Sequence, residues 1–197
     1  DDASPDRTYE IMEEMAATYD GPHKVVLNRN PVNLGLVPHI DRVMELVSGE
    51  FIVVNAGDDI SEPQRTSILS ERWRMSNGEI KLLHSSARRI DYYGNDFGIR
   101  TPPREIITNP SPKSIVINFN WVIGATAAWD RSVFDEFGPI GDGISIEDHI
   151  IPFRASIIGK IHYIEDSLVK HRVGGATKKT YNSLGRNYLY RGGLKSK

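Results

Sequence analysis

Alternating strand and helix patterns joined by short connections predict an α/β domain, a mostly parallel sheet carrying helices on both faces. A β-prone apolar run, Phe51-Ile-Val-Val-Asn-Ala56, stands between Gly49-Glu50 and Gly57 and reads as a buried strand of that sheet. Two carboxylates, Asp58 and Asp59, close the run, and the ends of strands in open α/β sheets are where ligands bind.

The elements follow in order. Ser4-Pro5 opens a first helix, with Ser at the cap and Pro at the first helical position. Ile11, Met12, Met15, Ala16 and Tyr19 recur at helical spacing until Asp20-Gly21-Pro22 stops the helix. Lys24 to Asn28 is a short strand. Ile40, Val43, Met44 and Val47 mark the buried face of a second helix, ended by Ser48-Gly49. Beyond Asp59 a helix opens at Ser61-Glu62-Pro63 and carries Ile68, Leu69 and Trp73, and Ile80 to His84 is the next strand. Right-handed crossovers set the strand ends, Asp58 and Asp59 included, along one edge. Residues 94–114, rich in Gly, Pro, Asn and Thr, lack periodicity and read as a functional loop or lid, or as a disordered stretch. Order returns with an apolar strand over Gly124 to Trp129, a short helix from Val133 to Phe137 and a glycine-rich loop from Gly138 to Gly143. A helix from Glu147 to Ile158 and strands at Ile161 to Ile164 and Leu168 to Arg172 complete the core.

A chain of 197 residues forms one domain with a real core. No stretch approaches the ~20 apolar residues of a membrane span. Cysteine is absent, so disulfides and thiolate metal sites are excluded. The sequence starts at Asp1 with neither methionine nor signal peptide and reads as an interior piece of something longer. The net charge of −2 hides an asymmetry: no acidic residue follows Asp166, while Lys170, Arg172, Lys178, Lys179, Arg186, Arg191, Lys195 and Lys197 do. The expected division is a domain over 1–175 and a basic tail over 176–197. With Tyr181, Tyr188 and Tyr190 interleaved, the tail suits anionic lipid or nucleic acid, and a solvated end is the simpler reading. The expected location is cytoplasmic, at the inner membrane face if the tail binds lipid.

The acidic motifs carry the chemistry. Two carboxylates leaving a strand together repel each other, and a divalent cation, which prefers hard oxygen ligands, relieves that repulsion. Gly57-Asp-Asp59 is also ordinary turn chemistry. Ser145-Ile-Glu-Asp-His149 opens a helix directly after the Gly141-Asp-Gly143 loop. Acidic residues in a first turn are favoured by the helix dipole, which makes plain capping a sufficient account. A dipole-stabilised carboxylate held ionised beside a flexible loop also suits a general base, with Asp148 and Glu147 as candidates.

Asp1-Asp-Ala-Ser-Pro-Asp6, Asn30-Pro-Val-Asn-Leu-Gly35, Ser48-Gly-Glu-Phe-Ile52 and Gly57-Asp-Asp59 resemble successive motifs of the family 2 glycosyltransferases. Gly124-Ala-Thr126, Phe137-Gly-Pro-Ile140, Glu147-Asp-His149 and Arg154-Ala-Ser-Ile-Ile-Gly159 resemble the second half in order and spacing, up to about Gly175. The resemblance implies a GT-A, Rossmann-like fold and an inverting transfer from a nucleotide-diphosphate sugar to a saccharide or lipid-linked acceptor, with no nucleic acid as partner. It implies that Asp2 bonds the donor's base and Asp58 its ribose or the metal, and that Asp59 binds Mg²⁺ or Mn²⁺ on the diphosphate. It implies further that Asn33 and Gly35 shape the nucleotide pocket, that Gly124 and Glu147 belong to the acceptor side, and that Asp148 deprotonates the acceptor hydroxyl. The family opens with a strand, a Thr-Tyr-Asn-like turn and a helix ahead of the Asp-Asp motif. None precedes Asp1, so the sequence reads as N-terminally truncated. Many relatives also complete the metal site with a C-terminal histidine. Here Gly174 takes that position, and His171, three residues earlier, is the substitute candidate or an ordinary strand residue.

The sequence is also compatible with two rival functions. A non-catalytic carbohydrate- or partner-binding module would keep the fold without turnover. A sugar nucleotidyltransferase would use the same sheet and metal-bound phosphates, with a Gly-rich basic loop near its start.

Overall fold

The computed structural model describes residues 1–108, 110–118, 122–141, 143–144 and 146–174. In chain order it contains α1 (Thr8–Ala17), α2 (Leu36–Leu46), β1 (Phe51–Val53), β2 (Ile60–Ser61), α3 (Arg65–Met75), β3 (Ile80–Ile90) and β4 (Asp96–Arg100). Then come α4 (Arg104–Thr108), α5 (Pro112–Ile117), a 3-10 turn (Gly124–Thr126), β5 (Ala128–Asp130), α6 (Ser132–Asp135), α7 (Glu147–Ile158) and β6 (Lys160–Arg172).

The sheet runs β1-β5-β3-β6-β2, with β4 paired to β3 off that path. Alternation along the strands sorts two apolar layers. Ile52, Leu82, Trp129 and Ile161 face one side, where they meet Met44 of α2, Ile106 of α4, Ile115 of α5, Phe134 of α6 and Ile151 and Ala155 of α7. Leu83, Ala128, Ile164 and Leu168 face the other, against Leu69 of α3, with Phe51 and Trp73 packed on the edge. The expected α/β class with helices on both faces is therefore present.

The sheet is mixed, which corrects the expectation of a mostly parallel one: among the described strands only β3 and β6 pair in parallel. The alternation pattern assumes that every connection is a crossover, but β4 returns from β3 through a tight turn. Asp91 Oδ1 holds that turn by accepting from the Tyr93 and Asn95 amides, and so short a connection only joins antiparallel strands. The strands expected at 161–164 and 168–172 are one strand with a bulge: Ser85 faces Ile164 and Ser86 faces Ser167, leaving Glu165 and Asp166 without a partner across β3.

Other local readings shift as well. Helix α1 starts at Thr8 rather than Ser4, with Asp6 Oδ1 accepting from the Thr8 amide at 3.0 Å. Its apolar stripe faces solvent among the described residues, Ile11 and Met15 being exposed. Lys24 to Asn28 is extended but is not a strand. Its neighbourhood makes one rung of the parallel pattern, Asp1 N donating to Asn28 O and Asn30 N to Asp1 O. Among its described residues the segment 94–114 holds β4, α4 and the start of α5, so it is not a structureless stretch. A reciprocal Ser111–Ser114 capping box starts α5, and buried Ile106 and Ile115 anchor the two short helices. The expected basic tail, 176–197, lies outside the described residues.

Candidate active site

The Asp58–Asp59 turn is held from three sides. Strand β1 delivers the chain, the Asp59 amide closes on Ala56 O at 3.2 Å, and Ser61 Oγ donates to Asn55 Oδ1 at 2.8 Å across the base of the turn. From β6, the Arg172 amide donates to Asp59 Oδ1 at 2.7 Å, and its Nε donates to the Asp58 carbonyl at 2.9 Å. Arg172 Nη1 bonds the carbonyls of Asp91 and Tyr92, both at 2.7 Å, so one residue ties this turn to the β3–β4 turn. Asp58 is exposed. Asp59 is half-buried, and burial pushes its carboxyl up, offset in part by the Arg172 amide and by His171. His171 Nδ1 is buried without a hydrogen-bond partner.

Asp59 and His171 are thus brought together by β2 pairing with β6. No cluster of three or more His, Asp or Glu able to hold a metal occurs among the described residues. A site of two protein donors nevertheless fits a divalent cation that takes its remaining ligands from water and phosphate oxygens. The orphaned imidazole nitrogen beside a carboxylate is the observation that supports the fit. Gly174, two residues beyond Arg172, has a φ of +99° and supplies no side chain.

Asp2 organises the second region. Its Oδ1 accepts from Asn30 Nδ2 and the Leu34 amide, both at 2.8 Å, and its Oδ2 accepts from the Gly35 amide at 2.9 Å. Burial alone would raise this carboxyl, but the amide and Asn30 bonds outweigh it and hold the group below its ordinary value. Asn33 Nδ2 donates back to Asp2 O at 2.8 Å. Gly35, with φ of +85°, then turns the chain into α2. Asp2, Asn33 and Gly35 therefore meet, and the Asp2 carboxylate is engaged in shaping the 30–35 loop.

Glu147 and Asp148 begin α7, where the sequence places them. Pro152 has no N–H, so the Asp148 carbonyl has no helical donor. Both side chains lean on Gly124: a Cβ there would lie 2.5 Å from Asp148 Oδ1 and 2.9 Å from Glu147 Oε1. A cavity of about 20 Å³, room for roughly one water molecule, is lined by Gly124, Glu147, Asp148, Trp129, Leu82 and Ile40. Asp148 Oδ1 and Glu147 Oε2 are buried without hydrogen-bond partners.

That environment corrects one expectation. The helix dipole does not keep Asp148 readily ionised: burial and the adjacent Glu147 carboxylate push it well up, offset in part by the Gly124 backbone and Arg100. Burial raises Glu147 too. Ahead of α7 the glycine loop is clamped. Asp41 of α2 accepts from the Ile140 and Gly141 amides at 2.7 and 2.9 Å, and Arg154 donates to Gly138 O and Pro139 O at 2.6 and 2.9 Å.

The sequence model of Glycosyl transferase family 2 matches residues 1–120, which carry the Asp2 loop, the Asp58–Asp59 turn and both their supporting helices. The chain belongs to that family. As a family 2 member it is similar in structure to S. aureus TarS 1–349 in complex with UDP-GlcNAc, at 15% identity and a TM-score of 0.65, over 87% of this chain and 48% of that one. It is also similar to the mannosyltransferase PcManGT from Pyrobaculum calidifontis in complex with GDP-Man and Mn²⁺, at 14% identity and a TM-score of 0.66, over 96% and 51%. A mycobacterial protein matches at 18% identity and a TM-score of 0.53, over 89% and 56%. The fold is that of the GT-A glycosyltransferases, and the chain spans about half the length of these structures. No curated protein matches the chain.

Sequence reasoning assigns no site role to Arg172, Arg65, Asp41 or Arg154. Arg172 follows His171 directly, and a basic residue beside a candidate ligand at a strand end is a weak signal. Asp41 sits on a helix at a position that nothing in the local pattern distinguishes from solvated charge, and Arg154 stands out only as the first residue of the Arg154–Gly159 motif, without a role of its own.

Proposed function

We propose that this family 2 chain carries the donor and catalytic sites of an inverting, metal-dependent glycosyltransferase that moves a sugar from a nucleotide-diphosphate sugar to an acceptor hydroxyl. The acceptor in this reading is a saccharide or lipid-linked acceptor, in polysaccharide or glycoconjugate synthesis. Two acidic centres carry the reading: Asp59 with His171 near it, where β2 pairs with β6, and Asp148 with Glu147 at the start of α7, against Gly124.

The Asp2 loop and Asn33 bound the nucleotide pocket, and Asp58 faces the ribose or the metal. Asp59 and His171 would hold Mg²⁺ or Mn²⁺, and the ion when bound would supply Lewis-acid stabilisation of the leaving diphosphate's charge. Asp148 takes the proton from the acceptor hydroxyl. Once ionised, a carboxylate whose proton is held more tightly than usual is the stronger base, which suits abstraction from an alcohol near neutral pH. Glu147, within reach of the same proton, orients the acceptor. Direct displacement needs a single base and no covalent intermediate, and it inverts the anomeric carbon. Family membership and the UDP-GlcNAc and GDP-Man complexes of structural relatives support a nucleotide-sugar donor.

Peripheral membrane contact through the basic tail is a further part of the proposal. No described helix is long and apolar enough to cross a membrane. Liposome pelleting with and without residues 176–197 tests it, and equal pelleting of both forms would exclude that contact.

Calorimetric titration of UDP-, GDP- and dTDP-sugars with Mn²⁺, beside Asp59→Asn, tests the donor site. The expected result is metal-dependent binding of one nucleotide class that the variant weakens at least ~10-fold. A folded protein that binds none of the donors would favour a non-catalytic module.

A further inference from the structure

Arg65, the first residue of α3, is only 1% exposed, yet no carboxylate in the described residues forms an ion pair with it. Its Nη1 donates to Ser61 Oγ at 3.1 Å and its Nη2 to the Ala127 carbonyl at 3.3 Å, while Nε is buried without a partner. Burial lowers its pKa to about 10, opposed by the nearby charge of Asp59, so the guanidinium stays charged at neutral pH. A buried cation without a contacting counter-ion is a poor stabilising device. A well-packed apolar residue of similar volume is often neutral or better. Stability alone therefore gives no reason for arginine here.

The bonds on either side supply one. Ser61 Oγ, which receives Arg65 Nη1, itself donates to Asn55 Oδ1, so the guanidinium grips the base of the Asp58–Asp59 turn. Ala127 O, which receives Nη2, ends the segment whose amide closes on Gly124 O at 2.9 Å. Gly124 in turn lies against Asp148 and Glu147. One planar fork thus spans the turn bearing the proposed metal carboxylate and the segment supporting the proposed base. An ammonium on a single stem cannot satisfy both acceptors with the same directionality.

We propose that Arg65 is a positioning residue that sets the Asp58–Asp59 turn and the Gly124–Ala127 segment in one fixed arrangement, registering the donor side of the site against the acceptor side. This rests on the glycosyltransferase reading for its consequence, though not for the coupling itself.

The test uses the full chain with Arg65→Met and Arg65→Lys. In the ligand-free protein, amide hydrogen exchange follows Asp59, which closes the turn on Ala56 O, and Thr126 and Ala127, which close the 3-10 turn. In Arg65→Met the exchange of all three rises together by at least ~10-fold, while β3 and β6 amides are unchanged and the melting temperature moves by no more than a few degrees. Arg65→Lys, which keeps the charge, gives a smaller rise at the same amides. With a donor that binds the wild type, Arg65→Met also raises donor KM and lowers kcat together. A merely structural defect would reduce the active fraction and leave KM alone. If Arg65→Met does not fold, the same exchange pattern in Arg65→Lys decides the matter. Exchange that rises in only one of the two segments, or in neither, overturns the proposal. A wild type that binds no nucleotide sugar contradicts the functional reading instead and leaves the exchange result to stand on its own.

Discussion

Gly124→Ala is the sharpest perturbation of the catalytic side. The added Cβ would lie 2.5 Å from Asp148 Oδ1 and 2.9 Å from Glu147 Oε1, whereas carbon–oxygen contacts settle near about 3.3 Å. Asp148 must therefore retreat by roughly 1 Å. The backbone at Gly124 is not left-handed, so the effect is steric and not conformational. The adjoining cavity, about 20 Å³, absorbs part of the displacement but is lined by Trp129, Leu82 and Ile151, which do not solvate a carboxylate. Overpacking of this kind costs about 1–3 kcal/mol, which for a chain of this size lowers the melting temperature by roughly 2–10 °C. Misplacing a reacting group by ~1 Å costs on the order of 100-fold in rate. The expected outcome is a folded variant with kcat down about 100-fold and donor affinity within about twofold of wild type. Thermal melts, donor calorimetry and steady-state transfer measure the three quantities. A Gly124→Ala enzyme with wild-type kcat would show that the contact between Gly124 and the two carboxylates has no catalytic meaning.

Other consequences follow from the same carboxylate pair and from one close approach elsewhere. Burial raises the Asp148 carboxyl, so its contribution to stability is full below the ordinary carboxylate range and is lost as pH rises through the raised value. Asp148→Asn is therefore expected to melt about 2–4 °C higher than wild type at pH 7.5, a gain of ~1 kcal/mol that disappears near pH 4. Glu147→Gln removes the like charge and shared proton that help hold Asp148 up, so the acid limb of kcat/KM moves to lower pH. An unmoved limb would separate Glu147 from the titrating group. Gly159→Ala puts a Cβ 2.7 Å from the Glu79 carbonyl, which the β3–β6 pairing fixes. A loss of about 1–3 kcal/mol in chemical denaturation is expected, with turnover per folded molecule unchanged.

Much of the fold was readable because periodicity and punctuation agree. Glu147 to Ile158 follows a glycine loop and stops at Gly159, and the structure gives α7 those bounds. Strand β1 and helix α3 were legible for the same reason, an apolar core bracketed by turn residues. What failed is non-local. The mixed sheet depends on which edge of β3 the chain returns to, and residue patterns do not encode that. The apparent loop over 94–114 owes its order to the Ser111–Ser114 box and to two buried isoleucines, signals too short to stand out among Pro, Gly and Asn. At the site, Asp58, Asp59, Glu147 and Asp148 announced themselves as acidic pairs at element ends. Arg65 and Arg172 did not, since their meaning lies in partners far along the chain. The environment of Asp148 was misread for a related reason: a helix start is visible in sequence, but the burial that outweighs its dipole is not.

The most direct test of the account is single-turnover transfer by Asp148→Asn, with donor and acceptor saturating and donor binding measured in parallel. The account predicts that transfer falls about 10²- to 10⁴-fold, as for loss of a general base, while donor affinity stays within about twofold. Transfer at the wild-type rate by a folded Asp148→Asn protein would contradict it.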